Sequence, residues 1–116
     1  MNIHLHTQGF DLTPAIEAHA KDQMRFHLAH FDECIVAADV YMKDINGPKG
    51  GPDKKVLIRL QLTSKTDVTI ERTRSNLYTA IAVAARQSKR SVRRTLNKSR
   101  RMEKFALRQM GRISEA

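Results

Sequence analysis

The chain begins with an alternation of apolar and polar residues. In residues 2–7, Ile3 and Leu5 fall on one face of an extended chain, and His4 and His6 fall on the other. A period of two over this length is typical of a half-buried β-strand. The sequence therefore predicts a first strand that ends before Gly9.

The next segment changes to a helical period. Thr13 followed by Pro14 is a typical helix start, because threonine caps free N–H groups and proline fits the first helical position. Apolar residues then recur every four positions, which predicts a helix from about residue 14 to residue 30 with one buried stripe. The stripe consists of Leu12, Ile16, Ala20, Met24 and Leu28, and Phe31 extends it.

Three later segments alternate with the period of a strand. Residues 34–43 predict a second strand, in which Cys34, Val36, Ala38, Val40 and Met42 share one face. Residues 56–63 give the clearest strand of the chain, and residues 68–71 suggest a fourth after a turn near residues 64–67. The segment 46–53 holds two prolines and three glycines, which predicts a loop.

The last predicted element is a long amphipathic helix that begins at Ser75 or Asn76, both good N-caps. At about 100° per residue, its apolar residues fall within an arc of roughly 160° to 280° measured from Arg86. These residues are Leu77, Ile81, Ala84, Ala85, Ser88, Val92 and Leu96. The remaining arc is basic and carries Arg86, Lys89, Arg90, Arg93, Arg94, Lys98, Arg100, Arg101 and Lys104.

The order of these elements predicts an α+β fold, β-α-β-β-β-α. In this fold a four-stranded sheet has two helices packed on one face, and its other face is open. A length of 116 residues suits one domain. We expect an α/β domain over residues 1–104 and a basic C-terminal tail over residues 105–116.

The charge of the chain is concentrated at its C-terminal end. Residues 1–85 contain ten Lys/Arg and ten Asp/Glu, so their charges cancel. Residues 86–116 contain eleven Lys/Arg and only two acids, Glu103 and Glu115. The whole net charge of +9 therefore lies in residues 86–116. Several like charges stand four residues apart on the last helix, for example Arg90 and Arg94, and each such pair is destabilising. Binding to a polyanion would reverse that cost.

Three interpretations of the basic helix remain: a solvated face, an anionic membrane surface, or a nucleic acid. A membrane fits poorly because the apolar arc is rich in alanine and is needed to cover the sheet. The strand at residues 56–63 has no aromatic residue for base stacking, and no helix-turn-helix or zinc pattern is present. The pattern favours phosphate contacts on a structured RNA.

Enzymatic chemistry is not indicated. Cys34 alternates with apolar residues and is interpreted as a core residue; as the single cysteine of the chain it also favours a reducing, cytoplasmic setting. The longest stretch without a charged residue is residues 75–85, too short to span a membrane. The pairs His4/His6 and His27/His30 have usable metal-ligand spacing but no accompanying cysteines. We expect no metal, cofactor or small-molecule substrate.

The sequence resembles the bacterial ribosome hibernation promoting factors, also called ribosome-associated inhibitor or protein Y. The resemblance covers roughly residues 1–104. It rests on the opening strand, on Gly-Phe-Asp-Leu-Thr-Pro-Ala-Ile at residues 9–16, on a helix that ends at His30-Phe31, and on Asn-Leu-Tyr-Thr-Ala-Ile at residues 76–81. It implies the β-α-β-β-β-α fold and binding to 16S rRNA of the small ribosomal subunit, in the channel that holds tRNA and mRNA. Members of this family silence translation under stress.

The resemblance also implies site residues. Arg86, Lys89, Arg90, Arg93, Arg94 and Lys98 match the basic second helix of the family, and Lys21 and Arg25 match basic positions on its first helix. The charge pattern adds Arg100, Arg101 and Lys104 as RNA-binding candidates.

The chain departs from the family in three respects. The family often has acidic residues at the positions of Asn76 and Ala82, and the loop at residues 46–55 is longer than in short members. We expect no C-terminal domain of the kind with which long members pair ribosomes, and therefore a monomer off the ribosome that does not dimerise ribosomes by itself. The alternative function is a binding module for another structured RNA or DNA, and an enzyme acting on RNA ranks third.

Overall fold

In a computed structural model of the protein, residues 1–45 and 53–115 are described, with side chains for all of these except 99 and 101–115. The predicted order β-α-β-β-β-α and the α+β class are confirmed. The elements are β1 (Asn2–Gln8), α1 (Pro14–Leu28), β2 (Ile35–Asp44), β3 (Lys54–Leu62), β4 (Asp67–Arg74) and α2 (Leu77–Glu115).

The four strands form one mixed sheet in the order β1-β2-β3-β4. β1 runs parallel to β2 because α1 carries the chain back between them, whereas β2, β3 and β4 are antiparallel neighbours. Alternate residues of the strands face the helices except at the start of β2, and on β3 Val56, Ile58, Leu60 and Leu62 are fully buried. The buried residues of both helices and of the sheet make one core.

Side-chain caps start both helices where the sequence predicts. The Thr13 hydroxyl accepts a hydrogen bond from the Ile16 N–H at 3.2 Å, with Pro14 in the first turn. The Asn76 side-chain oxygen accepts from the Tyr78 N–H at 2.9 Å, so the cap of α2 is Asn76 rather than Ser75. These contacts satisfy N–H groups that no helical carbonyl can reach.

The predicted end of α1 is wrong. The α-helix stops at Leu28, and the next six residues, Ala29–Cys34, form a 3-10 helix. Leu12 does not belong to the buried stripe: it is 37% exposed, because it precedes the cap at Thr13 and so lies outside the helical repeat. Phe31 is half-buried and packs against the core, as the extended stripe predicts.

The predicted face of β2 is also wrong at its start. A β-bulge lies between Ile35 and Ala37, whose partners on β3 are the adjacent residues Leu62 and Gln61. The extra residue changes the phase of the alternation, so that Ile35 is buried and Val36 is 47% exposed. Cys34 is only half-buried and ends the 3-10 helix, so it is not the core strand residue that the alternation predicts.

The apolar arc of α2 packs on the sheet as predicted. Ile81, Ala84, Ala85 and Val92 are fully buried, and Leu96 packs against the edge of the core. Ser88 is buried on the same arc, where its hydroxyl donates to the Ala85 carbonyl at 2.6 Å and is thereby satisfied.

Two further predictions fall partly or wholly outside what the structure tests. The helix α2 runs from Leu77 to Glu115, across residue 104, and the division into a domain and a tail stays a prediction. Residues 46–52 of the predicted loop lie outside the described residues. At the base of that loop, the Ile45 N–H donates to the Asp53 carbonyl at 2.7 Å.

Candidate nucleic-acid interface

The solvent side of α2 carries a row of cations, which we call the cationic face. Because the apolar arc is held against the sheet, the opposite arc is turned to solvent in the part of the helix up to Arg100 whose side chains are described. All members of the row are exposed except Lys89, which is half-buried. The cationic face comprises Arg86, Lys89, Arg90, Arg93, Arg94, Lys98 and Arg100.

Within the described side chains, no residue of the cationic face makes an ion pair within 4 Å. Its middle part, with Arg90, Arg93, Arg94 and Lys98 around Asn97, lines an open groove. The cations repel one another across each helical turn, and their positive charge is available to an external anion. Seven cations within residues 86–100 give every helical turn at least one positive charge, which suits a row of phosphates.

Several cations elsewhere in the protein are paired with carboxylates. On the open face of the sheet, Lys55 lies 2.9 Å from Glu71 and Arg59 lies 2.9 Å from Asp67. The hydrogen bond and the charge of Asp67 raise the pKa of Arg59. These pairs leave the open sheet face far less positive than α2, so the molecule has one strongly basic side.

The structure does not bring Lys21 and Arg25 into the cationic face. His19 marks the side of α1 that meets α2, because its Nε2 donates to the Tyr78 carbonyl at 3.1 Å. At about 100° per residue, Lys21 and Arg25 lie roughly 200° and 240° around α1 from His19, on the opposite flank. Lys21 also pairs with Glu17 at 2.8 Å, whereas Arg25 is exposed. The side chains of Arg101 and Lys104 lie outside the described part of the chain.

The sequence interpretation considered His27 only as a metal ligand and missed its position beside the cationic face. This residue is half-buried where α1 faces the cationic face, and burial together with the charges of Lys89 and Arg86 lowers its pKa. Burial and two neighbouring cations both disfavour the protonated form of this histidine. Its place is set by the packing of α1 against α2, which residue spacing within α1 alone does not reveal.

Replacement of His27 by glutamine is expected to flatten the acid side of the stability profile. The folded-state pKa lies below the ordinary value of 6.5, so the unfolded chain binds the proton more tightly. Folding stability attributable to His27 is therefore fully present above pH 6.5 and declines as the pH falls through that value. Urea unfolding of both proteins between about pH 5 and pH 8 measures the difference. Parallel profiles would contradict this assignment.

The open sheet face carries one aromatic contact. Tyr41 stacks on His6 with ring centroids 4.6 Å apart, and His6 Nε2 lies 3.2 Å from an Asp39 carboxylate oxygen. The neighbouring strand β3 offers no ring, in agreement with the sequence. A single tyrosine stacked on a histidine does not provide the several exposed aromatic rings on which successive RNA bases stack.

The part of the chain that the structure describes contains neither a cluster of metal-binding side chains nor a helix that could span a membrane. There, no group of three or more His, Cys, Asp or Glu side chains has the geometry to hold a metal ion. None of the described helices combines the length and the apolar character needed to cross a bilayer.

Residues 3–100 match the family model described as Sigma 54 modulation protein / S30EA ribosomal protein. The chain belongs to this family. Its members are ribosome-associated factors, and it is not known as a family of enzymes. The resemblance seen in the sequence is thereby confirmed. Among curated proteins, none matches the chain significantly.

Solved structures share the fold. The N-terminal domain of Protein Y from Thermus thermophilus superposes with a TM-score of 0.68 at 23% identity, covering 82% of this chain and 99% of that one. A ribosomal subunit interface protein from Coxiella burnetii gives 0.67 at 18% identity, covering 83% and 99%. At these identities the likeness establishes the architecture.

Proposed function

We propose that this protein is a non-enzymatic, cytoplasmic factor that binds 16S rRNA of the small ribosomal subunit and silences translation under stress. The binding site is the channel that holds mRNA and tRNA. Membership of a ribosome-associated family supports the choice of partner. The observation that carries the proposal is the cationic face: none of its seven cations makes an ion pair among the described residues, whereas Lys55 and Arg59 on the open sheet face are both paired.

The cationic face fits a phosphate backbone for an electrostatic reason. Seven cations on one side of one helix bind phosphates and release the counterions condensed on RNA, and this release drives association. The same helix is not available to a membrane, because its apolar arc is buried on the sheet.

The remaining basic candidates have separate roles in this proposal. Lys21 and Arg25 would contact a second RNA segment on the far flank of α1, with Lys21 first released from Glu17. A channel with RNA walls on both sides accommodates contacts on two flanks. Arg101 and Lys104 continue the sequence pattern of the cationic face and are proposed to extend the phosphate contacts along α2.

Competition for 30S subunits tests the function. If the protein occupies the channel, saturating protein should displace initiator tRNA and a short mRNA from purified 30S subunits. The readout is filter binding of labelled tRNA and mRNA, with co-sedimentation of the protein measured in parallel. Unlabelled initiator tRNA with mRNA should in turn weaken binding of the protein.

Two outcomes contradict the proposal in different ways. Simultaneous binding of protein, tRNA and mRNA without mutual weakening would place the protein elsewhere on the subunit. Failure to co-sediment with 30S subunits, while structured RNA or DNA still binds, would favour a binding module without a ribosomal role.

A further inference from the structure

Phe26 is the most exposed large apolar side chain in the described part of the protein. It is 77% exposed on α1, whereas the next such residue, Ile45, is 50% exposed. Phe26 contributes nothing to the core, and its ring leaves a large apolar surface in water. Such a ring at a helix surface is available to a partner.

The ring lies at the border of the cationic face. Phe26 is seven residues from His19, which at about 100° per residue puts both on the side of α1 that faces α2. Its ring meets His27 edge to face at a centroid distance of 5.0 Å, and His27 in turn faces Lys89 and Arg86. The exposed ring therefore lies next to a histidine that is close enough to two members of the cationic face to feel their charge.

We propose that Phe26 is a base-stacking residue: an unpaired nucleobase of the bound RNA packs on its ring while the phosphates lie on the cationic face. The inference rests on the proposed function and adds a preference for RNA with unpaired bases. A nucleotide presents a flat apolar base beside a charged phosphate, and this side of the protein offers a ring beside cations. The rings of Phe26 and His27 are nearly perpendicular, so His27 covers at most one face of the Phe26 ring, and a face of this 77% exposed side chain remains open to a base.

Substitution separates stacking from simple apolar contact. Phe26→Ala should weaken binding to 30S subunits by about 5-fold to 150-fold, the range found when one stacked base loses its partner. Phe26→Leu keeps an apolar side chain without a ring and should lose about as much, whereas Phe26→Tyr should bind like the wild type. All three should melt like the wild type, because the position is exposed.

The matched control is Val36→Ala. Val36 is also an exposed apolar residue, but it lies on β2 rather than on the helical side of the molecule. Its replacement should leave 30S binding unchanged. A loss equal to that of Phe26→Ala would mean that any exposed apolar residue matters, and would overturn the proposal.

Fluorescence provides a direct readout of the contact. The chain contains no tryptophan, so Phe26→Trp introduces a single indole at the proposed site. Its emission should be quenched by an rRNA hairpin with unpaired loop adenosines and much less by a fully paired hairpin of equal length. Val36→Trp should respond to neither RNA.

The outcomes distinguish this inference from the function on which it rests. If charge reversal on the cationic face weakens 30S binding but Phe26→Ala does not, the stacking role is wrong and the proposed function stands. If Phe26→Leu binds like the wild type while Phe26→Ala does not, an apolar protein surface covers the ring instead. If neither charge reversal nor Phe26→Ala changes binding, the proposed function fails as well.

Discussion

The double replacement Arg93→Glu and Arg94→Glu is expected to weaken binding to 30S subunits by about 10²-fold to 10⁴-fold. Each charge-assisted hydrogen bond to a phosphate is worth roughly 1.5–3 kcal/mol, and each new carboxylate also repels the RNA. The melting temperature should stay the same or rise slightly, because both positions are exposed and the new acids face Lys89, Arg90 and Lys98 one turn away.

Titration of 30S binding at several salt concentrations gives a second readout. The slope of log affinity against log salt counts phosphates, so the double variant should lose about two contacts from that count. The control is Lys43→Glu with Lys65→Glu, which makes the same change in net charge at two exposed positions away from α2. Equal losses in both variants would mean that binding follows net charge alone. If the variant with Arg93→Glu and Arg94→Glu binds 30S subunits like the wild type, the cationic face is only a solvated surface and does not bind RNA.

Much of this fold can be predicted because its signals are local. The Thr13-Pro14 start, the four-residue repeat from Ile16 to Leu28, and the alternation in β3 each depend on residues within one element. The apolar arc of α2 is equally local, since seven positions at a helical period define it without reference to the rest of the chain. The cationic face occupies the rest of the same helix, so its position can be predicted from the sequence as well.

The errors arise where a neighbouring element decides the structure. The alternation through Cys34 and Val36 is a sound strand pattern, but pairing with Leu62 and Gln61 inserts a bulge that changes its phase. Leu12 fits the four-residue repeat arithmetically, yet the cap at Thr13 starts the helix after it. Neither the bulge nor the conversion to a 3-10 helix after Leu28 has a local signal in glycine or proline.

The same distinction applies to the site. Sequence matching names Lys21 and Arg25 on α1 as RNA-binding candidates in addition to the basic residues of α2, and the angle at which α1 packs puts them on the flank opposite the cationic face. That angle instead brings His27 and the exposed Phe26 to the cationic face. Such neighbours depend on contacts between residues far apart in the chain, and no periodicity within α1 encodes them.

Replacement of Val92 by aspartate is expected to destabilise the fold by several kcal/mol at neutral pH. Val92 is completely buried on the apolar arc of α2, where a carboxylate is cut off from water and meets an apolar core. Domains of this kind are stable by only about 5–15 kcal/mol in total, so the variant should melt far below the wild type or fail to fold. Thermal melting and urea unfolding measure the loss.

Two controls separate the effect of burying a charge from the effect of adding a charge at the surface and from the effect of losing the valine side chain. Asn97→Asp places the same carboxylate on the exposed side of α2 and should leave the melting temperature nearly unchanged. Val92→Asn is polar but neutral, and it should cost less than Val92→Asp at neutral pH. Burial raises the pKa of a carboxyl, so the gap between the two Val92 variants should narrow as the pH falls and the introduced carboxylate takes up a proton. If Val92→Asp instead melts like the wild type, α2 does not pack on the sheet through its apolar arc. The opposite arc would then no longer be identified as the solvent-exposed, RNA-binding side.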